Sequence, residues 1–193
     1  SKRLCEKHIQ KISSDTRDTS YSIVRFGNVL GSTGSVVPLF EKQINNGGPV
    51  TITHPKIKRF FMTIREAVEL VLISSQLKIK ENGEIFILEM GESIYIKDLA
   101  KRMISLSGKD EKEIMIEYTG LRKGEKMNEQ LFFKNEVVNK TDIDGILSTN
   151  SKLFTPSETN FNKIISNISN NNSDISISLF EKLLPEYDRD EKR

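Results

Sequence analysis

The chain has one cysteine, two histidines, a net charge of only +2 and no long apolar run, and each shortage removes a class of protein. With Cys5 alone there is no internal disulfide framework, and the composition fits a reducing compartment. His8 and His54 lie far apart in sequence, so they and one thiol make no zinc-ligand pattern, and no metal is expected. No segment approaches the apolar length that spans a bilayer, and no signal-peptide pattern stands at the start. The near-neutral charge argues against bulk nucleic-acid binding, so basic residues must act singly. There is no Walker loop, no G-x-G-x-x-G after a strand and no internal repeat. What remains is an ordinary balance, 36% hydrophobic and 29% charged over 193 residues. That is enough for one well-buried domain with a small appendage.

The most informative stretch runs from Ser22 to Phe40. Ile23, Val24 and Phe26 make an apolar strand, a loop follows with Gly27, Gly31 and Gly34, and an apolar helix starts at Val36. A buried strand leading through a glycine-punctuated loop into a helix is how α/β proteins build a ligand crevice. The glycines let backbone amides approach an anion, and the helix start adds a favourable field. Further signals alternate along the chain. Leu4, His8, Ile9 and Ile12 space a first helix, whose start at residue 1 suggests a cut inside a larger domain. Residues 35–46 read as a helix stopped by Asn46-Gly47-Gly48-Pro49, and 50–53 as a short strand. Thr63-Ile64-Arg65-Glu66 is a capping box for a helix to about Leu77, with Val68, Val71 and Leu72 inward. Residues 84–90 alternate as a strand, Ile96, Leu99, Ala100, Met103 and Ile104 stripe a helix, and 114–118 read as a strand. Strands alternating with helices predict an α/β fold. Beyond Val137, Asn, Ser and Ile dominate. Helices are expected at 157–168 and 174–184, with a loop at Asn170–Ser173 between them and a frayed end.

Three cations could carry chemistry. Arg25, with Asn28, ends the first strand and could face a ligand, or could pair with a carboxylate while Asn28 caps a turn. Arg59 sits beside aromatics in Lys58-Arg59-Phe60-Phe61, as in a crevice wall or a solvated basic stripe. Arg122, in Gly120-Leu121-Arg122-Lys123-Gly124, is placed to grip a phosphate bidentately, against the alternative of a plain surface turn. His54, before Pro55, reads as a turn residue rather than a base. Glu125 and Glu129, one helical turn apart, read as a solvated face.

Four segments occur in order and at matching spacing: RFGNVLGSTGSVVPLF, GGPVTITHPKIKRFFMTIREA, GEIFILEMGESIYIKDLAKRM and TGLRKGEKMNEQL. Together they resemble the carboxyl-terminal half of bacterial nucleotide-sugar 4,6-dehydratases of polysaccharide biosynthesis. These form the capsule, flagellin-glycan and O-antigen group of the extended short-chain dehydrogenases/reductases. The resemblance covers residues 1–133 and resumes at Leu179–Tyr187. It implies the late sheet strands and substrate-binding lobe of a Rossmann-type fold over 1–133, with 134–193 as a carboxyl-terminal extension. The dinucleotide-binding half, with its G-x-x-G-x-x-G, is not in the chain.

Residue by residue, the resemblance implies that Lys2 is the motif lysine that holds the nicotinamide ribose of NADP or NAD. Lys2 is also the chain's one catalytic-motif residue. Asn28 matches the asparagine that touches the substrate diphosphate, and Val37, Pro38 and Leu39 match the start of the lobe near the nucleoside. Thr51, Ile52 and Thr53 resemble the strand passing the uracil, and Arg59 and Arg122 match the arginines that neutralise the diphosphate. Lys123 stands where the family usually has proline. The implied reaction oxidises C4 of a UDP-N-acetylhexosamine by hydride transfer. The ketone acidifies C5, the C6 hydroxyl leaves as water, and the hydride returns to C6. The acid–base groups belong to the half not in this chain, so the isolated chain is expected to be inactive. The alternatives are a UDP-sugar 4-epimerase of the same superfamily and a non-catalytic binding remnant. The implied partner is a UDP-sugar, with no nucleic acid and no membrane contact from this chain. The implied parent is homo-oligomeric and cytoplasmic, or anchored at the cytoplasmic face of the inner membrane.

Overall fold

The computed structural model describes residues 2–133, 136–149, 158–170, 178–179 and 184. In chain order the elements are α1 (Lys2–Asp15), β1 (Ser22–Arg25), β2 (Asn28–Val29), α2 (Val36–Asn45), β3 (Val50–Ile52), β4 (Lys58–Arg59) and β5 (Phe61–Met62). They continue with α3 (Ile64–Gln76), β6 (Glu84–Leu88), β7 (Ile94–Tyr95), α4 (Ile96–Leu106), β8 (Ile116–Tyr118), β9 (Val138–Lys140), β10 (Ile146–Thr149) and α5 (Glu158–Ser169). The chain divides into two compact units. One gathers the described residues up to Arg25, those of Ile73–Leu88 and those from Phe132 onward; the other comprises Phe26–Leu72 and Glu89–Leu131. Phe132 begins the last segment of the first unit.

The first unit is built on a four-stranded sheet ordered β1-β6-β10-β9. β1 runs parallel to β6, and β10 runs antiparallel to both β6 and β9. In β6, Ile85, Phe86 and Ile87 are all buried, so both faces of this strand are covered rather than one. The expected alternation therefore gives way to a continuous apolar run. Strands β9 and β10 fall in the Asn-, Ser- and Ile-rich region beyond Val137, where no strand was expected. Their polar members Ser148 and Thr149 are buried, and the Thr149 hydroxyl donates to the Val137 carbonyl at 2.8 Å. A hydroxyl satisfied in this way fills a core position that carries no apolar signal. Leu4 of α1, Ile164 of α5 and Leu184 form a small apolar cluster beside the sheet. The expected helix at 174–184 lies mostly outside the described residues, of which Ser178 and Leu179 are helical.

Arg25 does not face a ligand. Its Nε and Nη2 donate to Glu6 at 2.7 and 2.8 Å, and its Nη1 and Nη2 donate to Glu136 at 2.7 and 2.9 Å. Arg3 joins both carboxylates, at 2.8 Å to Glu6 and 3.1 Å to Glu136, and its guanidinium lies 4.7 Å from the Phe133 ring centroid. Among the described residues, two cations and two anions thus make a nearly enclosed cluster of balanced charge.

In the second unit, one core joins α2, β3 and α4 through Phe40, Ile44, Val50, Ile52, Ile96, Ala100 and Ile104. Ile96, Ala100 and Ile104 recur every four residues, so α4 buries one stripe as predicted. Three two-stranded pairings surround this core: β2 with β5 and β3 with β8, both parallel, and β4 with β7, antiparallel. The capping box of α3 forms: the Thr63 N–H donates to Glu66 at 2.6 Å, and the Glu66 N–H donates to the Thr63 hydroxyl at 3.2 Å. The inward face expected for α3 is wrong, however. Val68, Val71 and Leu72 are 51%, 46% and 61% exposed, while Leu70 and Ser74 take the buried line. Apolar residues occur all round this helix, so its pattern does not single out a face.

Candidate functional site

Within the second unit a cavity of about 470 Å³ opens between α2, β3 and the loop after β8. Gly27 sets its first polar group. A Cβ at Gly27 would lie 2.7 Å from the Phe60 Cβ and 2.8 Å from the Phe60 carbonyl oxygen. Only glycine lets the chain pass so close, and Asn28 follows at once with its N–H on the Phe60 carbonyl at 2.8 Å. The Asn28 side chain is thereby held at the cavity edge, its Nδ2 3.2 Å from the same carbonyl.

The opposite wall is β3. Val50 and Ile52 anchor the strand in the core, while Thr51 is clamped by Gln43 of α2. The Gln43 Nε2 donates to the Thr51 hydroxyl at 2.7 Å, and the Thr51 N–H donates to the Gln43 Oε1 at 3.1 Å. Thr119 closes onto this strand through its N–H on the Ile52 carbonyl at 2.9 Å. Val36, Leu39 and Phe40 of α2 line the cavity; Val37 and Pro38 are not among the lining residues. Ser35 precedes α2, and its Oγ is buried without a hydrogen-bond partner among the described residues. Pro38, third in the helix, has no N–H, which removes one of the two backbone donors that a capping hydroxyl ordinarily accepts from.

Arg59 and Arg122 both line the cavity. Arg122 sits in a turn closed by the Glu125 N–H on the Arg122 carbonyl and the Arg122 N–H on the Glu125 Oε2, both at 3.0 Å. Gly124 supplies the positive φ, 80°, that this turn requires. The Arg59 guanidinium donates to the carbonyls of Lys58 at 2.7 Å, Lys126 at 2.9 Å and Met127 at 3.1 Å, tying the loop to β4. Of the two carboxylates expected on a solvated face, Glu125 lines the cavity and Glu129 contacts two of the lining residues. Glu125 accepts from the Thr53 hydroxyl at 3.0 Å and stands 3.7 Å from Arg59. Glu129 accepts from the Asn28 Nδ2 and lies 3.5 Å from the Arg59 Nε. Their spacing of four residues is compatible with either fate, and the sequence holds no mark of the partners that β2 and β4 supply.

Of the predicted site residues, Asn28, Leu39, Thr51, Ile52, Thr53, Arg59 and Arg122 thus share one cavity. His54 is a turn residue as expected, its Nδ1 accepting the Lys56 N–H at 3.1 Å. Lys2 is exposed on the first turn of α1 in the first unit. Among the described residues no cluster of three or more His, Cys, Asp or Glu is placed to hold a metal, and no helix is long and apolar enough to cross a membrane.

A family model described as "Polysaccharide biosynthesis protein" matches residues 1–151. The chain belongs to this family. It is 54% identical over 136 residues to the "Capsular polysaccharide biosynthesis protein CapD" of Staphylococcus aureus, a match spanning 70% of this chain and 22% of that protein. It is 37% identical over 145 residues to the "UDP-glucose 4-epimerase" of Rickettsia bellii, covering 74% of this chain and 41% of the epimerase. Among solved structures it resembles Pen from Bacillus thuringiensis, with a TM-score of 0.66 and 36% identity over 77% of this chain and 46% of that one. The chain therefore spans less than half the length of these relatives. The α/β arrangement is a partial Rossmann-like fold of the short-chain dehydrogenase/reductase type, as the four motifs predicted.

Proposed function

We propose that the second unit grips the diphosphate of a UDP-N-acetylhexosamine. The chain is then the substrate-binding portion of a nucleotide-sugar 4,6-dehydratase of surface-polysaccharide or glycan biosynthesis. The observation that carries this reading is the convergence of Asn28, Arg59 and Arg122 on one cavity that Thr51, Ile52 and Thr53 also line. Planar guanidinium groups match phosphoryl oxygens bidentately, and two of them suit two linked phosphates. The strand offers hydroxyls and an apolar flank to a flat base. A nicotinamide cofactor supplies the redox chemistry of such a reaction. No residue of the cavity does so, and the chain's own part is to bind and orient the sugar nucleotide. The match to a UDP-glucose 4-epimerase favours a second reading, a UDP-sugar 4-epimerase, which would use the same diphosphate grip without eliminating water.

Calorimetry with UDP tests the site. A charge-assisted hydrogen bond is worth about 1.5–3 kcal/mol, so Arg59→Ala or Arg122→Ala should each weaken UDP binding about ten-fold or more. Equal affinity after both changes would overturn the assignment. The 193-residue chain alone should form no 4-keto-6-deoxy sugar, and detection of that product would show that the acid–base groups are present in it after all.

A further inference from the structure

We propose that Glu129 is a built-in competitor for the diphosphate, holding the Asn28 and Arg59 donors in the free protein and leaving them when the nucleotide arrives. The inference rests on the UDP-binding reading above. Both Glu129 carboxylate oxygens accept from the Asn28 Nδ2, at 3.3 and 3.2 Å, and Oε1 lies 3.5 Å from the Arg59 Nε. Two of the three groups assigned to the diphosphate are thus already turned towards a negative charge that the chain itself provides. A carboxylate edge presents two oxygens much as a phosphoryl group does, so it satisfies the same donors.

The neighbouring carboxylate behaves differently. Glu125 is bound to the Thr53 hydroxyl at 3.0 Å and to the Arg122 N–H at 3.0 Å, so it belongs to the frame of the turn. Glu129 has no such structural bonds among the described residues; its contacts are the two ligand-facing groups. Its side chain is also 33% exposed, which leaves it room to swing into solvent. A diphosphate on Asn28 and Arg59 would otherwise lie against a like charge, so binding requires that exchange. The competitor favours anions that bridge Arg59 and Arg122 over single small anions, which gain too little to displace it.

The opposing idea is that Glu129 orients Arg59 and Asn28 for the ligand, and the two ideas predict opposite signs. UDP binding is measured by calorimetry on the full chain, on Glu129→Gln, on Glu129→Ala and on Arg59→Ala. The expected result is about ten-fold tighter binding by both Glu129 variants and weaker binding by Arg59→Ala. If Arg59→Ala weakens binding while neither Glu129 variant binds more tightly than the unaltered chain, the competitor is overturned and the site reading stands. If Arg59→Ala leaves the affinity unchanged, the site reading fails and takes this inference with it.

Discussion

Replacing Glu136 by alanine should destabilise the first unit by about 3 kcal/mol, for reasons the geometry makes explicit. Its side chain is wholly enclosed, and it accepts from the Arg25 Nη1 and Nη2, the Arg3 Nη1 and the Phe133 N–H. Among the described residues the cluster carries two positive and two negative charges, so losing this carboxylate leaves an excess positive charge among these nearly buried side chains. Breaking a buried pair from one side costs about 3–5 kcal/mol. Glu6 still grips Arg25 through Nε and Nη2 and still contacts Arg3, which places the loss at the lower end. With a urea m-value of about 1–3 kcal/mol/M, the midpoint should fall by about 1–3 M. The paired change Arg25→Leu with Glu136→Leu keeps Arg3 and Glu6 balanced and should cost less than Glu136→Ala. The same site fixes an acid response. Burial pushes the Glu136 carboxyl up, but the Arg25 hydrogen bonds, the Phe133 N–H and the charges of Arg25 and Arg3 outweigh it, so its pKa lies below the ordinary value of 4.5. A depressed carboxyl contributes stability that is present above the unfolded-state pKa and lost as the pH falls through the folded one. Glu136→Gln should therefore flatten the decline in stability below about pH 4.5. An unfolding free energy for Glu136→Ala within about 0.5 kcal/mol of the unaltered chain, or an acid profile unchanged by Glu136→Gln, would refute the reasoning.

Two more changes test the architecture of the cavity. Gly27→Ala forces a methyl to within 2.7 Å of the Phe60 Cβ, so it should cost about 1–3 kcal/mol in thermal or urea unfolding and weaken UDP binding by moving Asn28; a neutral substitution would contradict the close approach. Ser35→Ala removes a helix-capping residue type, which ordinarily costs about 1 kcal/mol. Because its hydroxyl makes no cap bond here, the unfolding free energy should stay within about 0.5 kcal/mol, and a full loss would mean that the hydroxyl caps α2 after all.

Local rules made much of this fold legible. The glycine-punctuated turn from β1 to α2, the four-residue stripe of α4 and the Thr63–Glu66 capping box each depend on residues close in sequence, and each forms. Where the outcome depended on distant partners, the pattern was mute. Strand β10 owes its place to pairing with β6, and its buried Ser148 and Thr149 carry no hydrophobic signal. Arg25 meets Glu136 across 111 positions, and Glu129 meets Asn28 across 101. No spacing rule operates at such distances. The resemblance to a known family supplied Asn28, Arg59 and Arg122, yet motif matching could not tell that Glu125 lines their cavity and that Glu129 contacts Asn28 and Arg59. Val37 and Pro38 show the opposite limit: they belong to the right segment, but a helix shows only every third or fourth residue to one side.

The clamp between Gln43 and Thr51 has a consequence for how binding divides between order and contact. Two reciprocal hydrogen bonds and two core anchors, Val50 and Ile52, fix this wall whether or not a ligand is present. A base laid along it therefore needs little further freezing of the strand, and the entropy of association on this side falls mainly on the ligand. The loop from Thr119 to Glu129 differs, because carboxylates and one guanidinium hold much of it, and these are the groups a charged ligand would recruit. Nucleotide binding should thus leave amide exchange of residues 50–52 almost unaltered while changing that of residues 120–129. The two sides of one cavity would then report recognition on different timescales.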